Sequence, residues 1–476
     1  MTAPATTEPQ APGSGRDIQR DPGSYRDPGG FVYRRDGVLY RQIGPSVIGD
    51  WQGFVESGLA GKLVASGKLI GYEPADLALA ARPEDAAAVI RPEPIDFISY
   101  PYEWTFGELK DAALLTLDIE LEALAAGWTL KDATAYNVQF RGGTPILIDS
   151  LSFEPHEDGT PWVAYRQFCE QFLAPLAVMS RRDIRLAALL RADPDGIPLD
   201  LAKGLVPWRT RLDFGLLSHL HLHANAQVRH AADDDDGAAA KRARIPRSRL
   251  IALVTNLRNT VAKLDWKPGG TEWSDYADNT SYNDRATAAK EQLVGEYLAR
   301  VPGPGVWDLG ANTGRYSRIA AEHGKRVLAF DIDPAAAERN YRQIKAEGRS
   351  DILPLILDVA NPSPGIGWAN QERRSLLERA DPDAILALAL IHHLAISRNV
   401  PLPMLMDLFA ALAPWAVVEF VPKEDVMVRH LLATRRDVFP DYTLDGFRSA
   451  ALGRFEIAAE TPIEDSPRTL FLLHRR

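Results

Sequence analysis

Apolar and polar residues alternate through 31–43 on either side of Asp36-Gly37, the pattern of two strands joined by a tight turn. Helical and strand-like stretches follow to about residue 224, among them a long helical run over 109–127. Further along, the two periods take turns. Apolar residues three and four apart predict helices over 286–300, 316–323, 334–347 and 402–412. Short apolar runs between them predict strands at 305–309, 326–330, 352–357, 384–390 and 416–420, with 455–461 and 469–474 as a closing antiparallel pair. Alternation of this kind implies an α/β unit, a doubly wound parallel sheet covered by helices on both faces. The closing pair adds an antiparallel edge.

One break interrupts the pattern. Residues 233–236 are four consecutive aspartates, followed by Gly-Ala-Ala-Ala and a basic stretch over 241–249. Blocks of like charge read as solvated linker. The chain is therefore expected to divide into a disordered tail at 1–28, a first unit at 29–225, a charged linker at 226–247 and a second unit at 248–476. The tail is rich in Ala, Pro, Thr and Gly, and it lacks the apolar stretch of a secretory signal. A length of 476 residues suits two or three domains. The net charge of −10 argues against a chain held to nucleic acid by phosphate contacts. With one cysteine, Cys169, there is neither an intrachain disulfide nor a multi-cysteine zinc site. No apolar run approaches the roughly 20 residues that span a bilayer. These features point to a cytoplasmic protein without nucleic-acid or membrane partners; oligomeric state leaves no mark in the sequence.

Candidate chemistry begins at Val306-Trp307-Asp308-Leu309-Gly310-Ala311-Asn312-Thr313-Gly314, which leads into a helix. Glycine permits a tight turn and close approach of backbone to a ligand, and the helix start supplies free N–H groups. The spacing departs from the G-x-G-x-x-G dinucleotide fingerprint. The second strand ends in Phe330-Asp331, where an acid can accept both ribose hydroxyls of an adenosine-containing ligand. The third ends in Leu357-Asp358, where a carboxylate can accept from an exocyclic adenine amine. Acids at strand ends are often mere loop residues; three in order beside a glycine turn favour a cofactor crevice.

The segment Asp308-Leu309-Gly310-x-x-x-Gly314 resembles the first motif of class I S-adenosylmethionine (SAM)-dependent methyltransferases, and Asp331 and Asp358 match the acids beside ribose and adenine in that family. The resemblance implies a Rossmann-like sheet, SAM as cofactor, and Gly310, Ala311, Asn312 and Gly314 close to its methionine and sugar portions. Asn312 replaces the commoner Gly or Cys. Upstream, Tyr282 and Lys290 are candidates for a lid over the cofactor, with ordinary packing as the rival reading. At the fourth strand's end, Ile391-His392-His393-Leu394 offers a histidine suited to general-base work, or to a structural hydrogen bond. Neighbouring histidines without a third ligand make metal an unfavoured reading. Glu419 ends the fifth strand as a candidate proton acceptor, the rival being a structural salt bridge. The stretches HHLAISRNVPL and EFVPKEDVMV resemble bacterial methyltransferases connected with nodulation and small-molecule tailoring. The expected reaction is methyl transfer to a small-molecule or saccharide-type acceptor.

The first unit carries a second pattern. After the run over 109–127 comes Leu130-Lys131-Asp132-Ala133-Thr134-Ala135-Tyr136-Asn137, then Ile148-Asp149. Asp132 and Asn137 have the D-x-x-x-x-N spacing of a kinase catalytic loop, and Asp149 follows at a strand end, as a magnesium-binding acid would. This part resembles the larger lobe of kinase-like and aminoglycoside-phosphotransferase-like proteins, an α+β fold. It lacks a glycine-rich phosphate loop and a clear strand lysine; Arg34, Arg35 and Arg41 lie in the hairpin without a definite counterpart. The resemblance implies a degenerate kinase-like domain that aids substrate or partner binding. The alternatives are a bifunctional enzyme that also transfers phosphate from ATP, and a non-catalytic nucleotide-binding scaffold.

Overall fold

The computed structural model describes residues 18–222, 244–269, 283–433 and 436–476. Most of the expected tail and of the charged linker lies outside the described residues. The hairpin forms where its alternation places it: β2 (Gly30–Arg35) pairs with β3 (Val38–Ile43) around Asp36 and Gly37, both at positive φ. Order begins earlier than composition suggests, because β1 (Ile18–Arg20) pairs with β2. Three residues are too few to show a period, and their place is secured by main-chain hydrogen bonds to a strand further along.

Helices α1 (Ile48–Glu56) and α2 (Leu59–Ala65) follow β3. Then β4 (Tyr72–Ala75) and β5 (Ala88–Pro92) complete an antiparallel sheet of order β1-β2-β3-β5-β4. The 20-residue helix α3 (Phe106–Ala125) starts at a capping box: Thr105 Oγ1 accepts from the Glu108 N–H, and Glu108 Oε2 accepts from the Thr105 N–H. It is succeeded by β6 (Trp128–Leu130), the loop with Asp132 and Asn137, the hairpin β7 (Val138–Arg141) and β8 (Thr144–Leu147), and β9 (Phe153–Pro155) paired with β6. Helical segments fill much of 165–222. The helix Arg247–Lys263 lies along α3 and buries Leu250, Val254, Leu257 and Val261. It sits against the first unit although it follows the charged stretch.

The second sheet runs β12-β11-β10-β13-β14-β16-β15. Its strands β10 (Gly305–Leu309), β11 (Arg326–Asp331), β12 (Ile352–Ile356), β13 (Ala384–Ala387) and β14 (Trp415–Phe420) are parallel. Strand β16 (Thr469–Arg475) runs antiparallel to β14 and to β15 (Phe455–Pro462). Helices Asp284–Arg300, Arg315–Glu322, Pro334–Glu347 and Leu402–Leu412 stand where the apolar period predicts them. Strand β13 stops three residues short of its apolar run, because Ala389 turns left-handed at φ 51° and its N–H donates to Glu419.

Between β12 and β13 the chain makes only two short 3-10 turns, Trp368–Asn370 and Leu377–Arg379. A doubly wound sheet needs a helix at such a crossover to keep its face dry. Here the first unit supplies the cover. Phe97 meets Trp307 and Phe330 edge-on at centroid distances of 5.7 and 6.4 Å. Glu103 chelates Arg379 at 2.5 and 3.0 Å, with both side chains almost fully buried. The Gly107 N–H donates to Glu338 and the Tyr341 hydroxyl to Asp111, each at 2.7 Å. One apolar core therefore runs through both units.

Candidate active site

The chain leaves β10 through Gly310 (φ 79°), Asn312 (φ 50°) and Gly314 (φ 80°). The Gly310 and Ala311 N–H groups both donate to the Phe330 carbonyl, at 2.8 and 2.9 Å, which folds the turn across the end of β11. A Cβ on Gly314 would fall 2.4 Å from Asn340 Oδ1, whereas one on Gly310 would meet only Leu390, at 3.4 Å. Gly314 caps the helix Arg315–Glu322 without a side-chain acceptor. Asp331 joins the two strand ends: its Oδ2 accepts from the Asn312 N–H at 2.7 Å and its Oδ1 from the Asp333 N–H at 2.8 Å. Burial pushes its carboxyl up to about 6, although those N–H groups pull the other way. Asp308 lies behind the turn, buried, and accepts from the Ser317 hydroxyl at 2.6 Å; burial raises it to about 6 as well. Asp358, partly exposed at the end of β12, caps the Ala360 N–H and lies 3.4 Å from Arg398. Gly310, Ala311, Asn312, Gly314, Asp331 and Asp358 thus sit at the carboxyl ends of three adjacent strands.

A buried polar cluster adjoins these strand ends. Glu419 Oε2 accepts from Lys290 Nζ at 2.6 Å and from the Ala389 N–H at 2.8 Å, while its Oε1 accepts from Arg468 at 3.1 Å. Arg468 also donates to Asp425 at 2.8 and 3.3 Å, and Asp425 caps the helix Val426–Leu432. Lys290 is accordingly an interior cation, paired with Glu419 and stacked 4.5 Å from the Tyr316 ring centroid. Tyr282 lies outside the described residues. Arg468 was not a candidate from sequence: it stands just before a strand, with no local signal that its charge is buried.

The turn made by Ala389 leads directly to the two histidines. Their rings lie 4.1 Å apart, and His392 is completely buried with no hydrogen-bond partner for either ring nitrogen among the described residues. Burial, and then the neighbouring His393 and Arg468, hold His392 well below the usual histidine range; burial and Arg468 lower His393 to about 4. Both are neutral imidazoles at physiological pH. Among the described residues no three His, Cys, Asp or Glu side chains gather as a metal site, and no helix is long and apolar enough to cross a membrane.

A parallel sheet with a reversed strand inserted beside β14, carrying a glycine turn and an acid at the carboxyl ends of its first two strands, is the class I methyltransferase fold. The particular family follows from a relative of full length. The chain is 36% identical over 458 residues to nodulation protein NoeA of Rhizobium meliloti (strain 1021), covering 95% of each, and it belongs to that protein's family. No model of a protein family matches the chain. Among solved structures it is similar to magnesium protoporphyrin IX methyltransferase of Synechocystis PCC 6803 with bound SAH (14% identity, 43% of this chain, 96% of that one, TM-score 0.30). It is also similar to N-methyltransferase NodS of Bradyrhizobium japonicum WM9 (11% identity, 40% and 98%, TM-score 0.29) and to the bifunctional kinase-methyltransferase WbdD (16% identity, 45% and 45%, TM-score 0.29). At such scores the fold assignment rests on the strand order itself.

Proposed function

We propose that this protein transfers a methyl group from SAM to a small-molecule or saccharide-type acceptor, and that the first unit aids substrate or partner binding. The observation that carries this reading is the 2.7 Å bond from the Asn312 N–H to Asp331, which brings the glycine turn and the acid at the end of β11 together. The residues fit an adenosyl sulfonium. At Gly310 the one neighbour an added methyl group would meet is Leu390, at 3.4 Å, the ionised Asp331 has lone pairs for ribose hydroxyls, and Asp358 stands one strand further out for the adenine amine. The bound cofactor would supply an electrophilic methyl group. His392 and His393, uncharged through burial, are the nominated acceptors for the proton that leaves the nucleophile. Glu419 is engaged by Lys290 and Arg468, and we assign it to holding the Ala389 turn that presents those histidines. Because the helix Arg247–Lys263 packs on α3, we also place the boundary between the two units after it.

Two measurements test this reading. Isothermal titration should show saturable SAM binding that Asp331→Ala abolishes while circular dichroism stays unchanged. Labelled methyl groups from SAM, incubated with a metabolite extract, should appear in a product identified by mass. If SAM binds no better to the natural protein than to Asp331→Ala, the assignment fails.

A further inference from the structure

The first unit combines a sheet of order β1-β2-β3-β5-β4, a long helix, and a loop with Asp132 and Asn137 followed by Asp149. In phosphotransferases of this build the third strand carries a lysine for the phosphates, and the loop asparagine and later aspartate hold magnesium. This chain has Arg41 on its third strand, with Nη1 2.6 Å from Asp149 Oδ1 and Nη2 3.4 Å from Asp27. Asp149 Oδ1 also accepts from the Leu151 N–H at 3.0 Å, and Oδ2 from the Ser152 hydroxyl at 2.6 Å. Asn137 Nδ2 donates to that same hydroxyl oxygen at 3.3 Å. Asp132 Oδ1 accepts from Gln167 at 2.8 Å and from the Thr134 N–H at 3.1 Å. Asn137 and Asp149, which would hold the metal, and the loop aspartate Asp132 are each bonded to protein partners, and a dication at Asp149 would face a buried guanidinium. The residues do not fit magnesium and ATP.

The chain itself covers the loop between Asp132 and Asn137. The β1–β2 connection, where a phosphotransferase carries its phosphate loop, meets Glu372 and Arg373 of the second unit. Arg26 donates twice to Glu372, at 2.6 and 3.1 Å, and the Tyr25 hydroxyl donates once, at 3.2 Å. A Cβ on Gly23 would lie 2.9 Å from Arg373 Nη1 and 3.1 Å from the Glu372 carbonyl oxygen. The Arg373 guanidinium stacks 4.1 Å from the centroid of Tyr136, inside the loop between Asp132 and Asn137.

We infer that the first unit is a phosphotransferase fold turned into an internal clamp: Arg41 fills the cation position at Asp149, and the segment around Glu372 and Arg373 closes the cleft against nucleotide. Isothermal titration of the full chain with ATP and magnesium should give no saturable heat. Saturable binding, or phosphate release, that Asp149→Asn removes would overturn the inference. In Arg41→Ala the exposed carboxylate should acquire a response to cations, so that millimolar MgCl2 raises the variant's melting temperature and leaves the natural protein unmoved; an equal response in both sinks the idea. Arg26→Met and Glu372→Gln should each lower the melting temperature, and the double variant should fall no further than the worse single one. Additive losses would mean that the two do not form one clasp. None of these readouts involves SAM, so their failure and that of the methyltransferase reading are separate.

Discussion

In the proposed site Asp331 accepts two ribose hydroxyls in its ionised form, and burial raises its carboxyl to about 6. SAM affinity should therefore be level above neutrality and fall by about tenfold per pH unit once the pH drops below about 6; titration calorimetry in a buffer series checks this. The unliganded fold behaves in the opposite sense. Asp308 and Asp331, both raised, contribute stability fully below their unfolded values near 4 and lose it as the pH climbs through about 6. Arg468 makes a second residue-scale case. Arg468→Met leaves Asp425 and Glu419 buried with a lost partner, which should cost about 3–5 kcal/mol in urea unfolding. Arg468→Lys, which keeps the charge but not the fork that reaches both carboxylates, should lose less.

The turn between β10 and its helix distinguishes two glycines that look alike in sequence. Both have φ near 80°, where an L side chain costs about 1–2 kcal/mol. Gly314→Ala adds a collision with Asn340 and should chiefly lower the melting temperature. Gly310→Ala has room for its methyl group but places it on the turn proposed to hold SAM, so it should weaken SAM binding more than it destabilises. Equal effects in both assays from the two variants would refute this division. The turn was legible because its chemistry is carried by adjacent residues. The early end of β13 was not, since Ala-Leu-Ala-Leu reads as continuous strand and the left-handed Ala389 depends on Glu419 from a neighbouring strand.

At the scale of the whole molecule, the sheet of the second unit is incomplete alone. Trp307, Phe330 and Tyr341 are covered by Phe97, α3 and the segment leading into it, and Arg379 finds its carboxylate on Glu103. A fragment spanning 264–476 should therefore aggregate or elute as a heterogeneous species in size-exclusion chromatography, whereas the full chain elutes as a single folded one. Within the full chain, Glu103→Gln leaves Arg379 buried without its counter-charge and should cost about 3–5 kcal/mol in urea unfolding.

The Asp36-Gly37 hairpin, the alternating strands and helices of the second unit, and the ordered series Asp308, Gly310, Gly314, Asp331, Asp358 can all be read from the order of residues along the chain. Periodicity, turn chemistry and strand-end position are properties of contiguous residues. Folding in three dimensions is what pairs Lys290 with Glu419 across 129 positions and Arg379 with Glu103 across 276, closes Arg41 on Asp149, and makes the first unit a missing layer of the second. Whether a charged side chain ends in water or in the core depends on the partner the fold brings to it, and no local pattern encodes that partner.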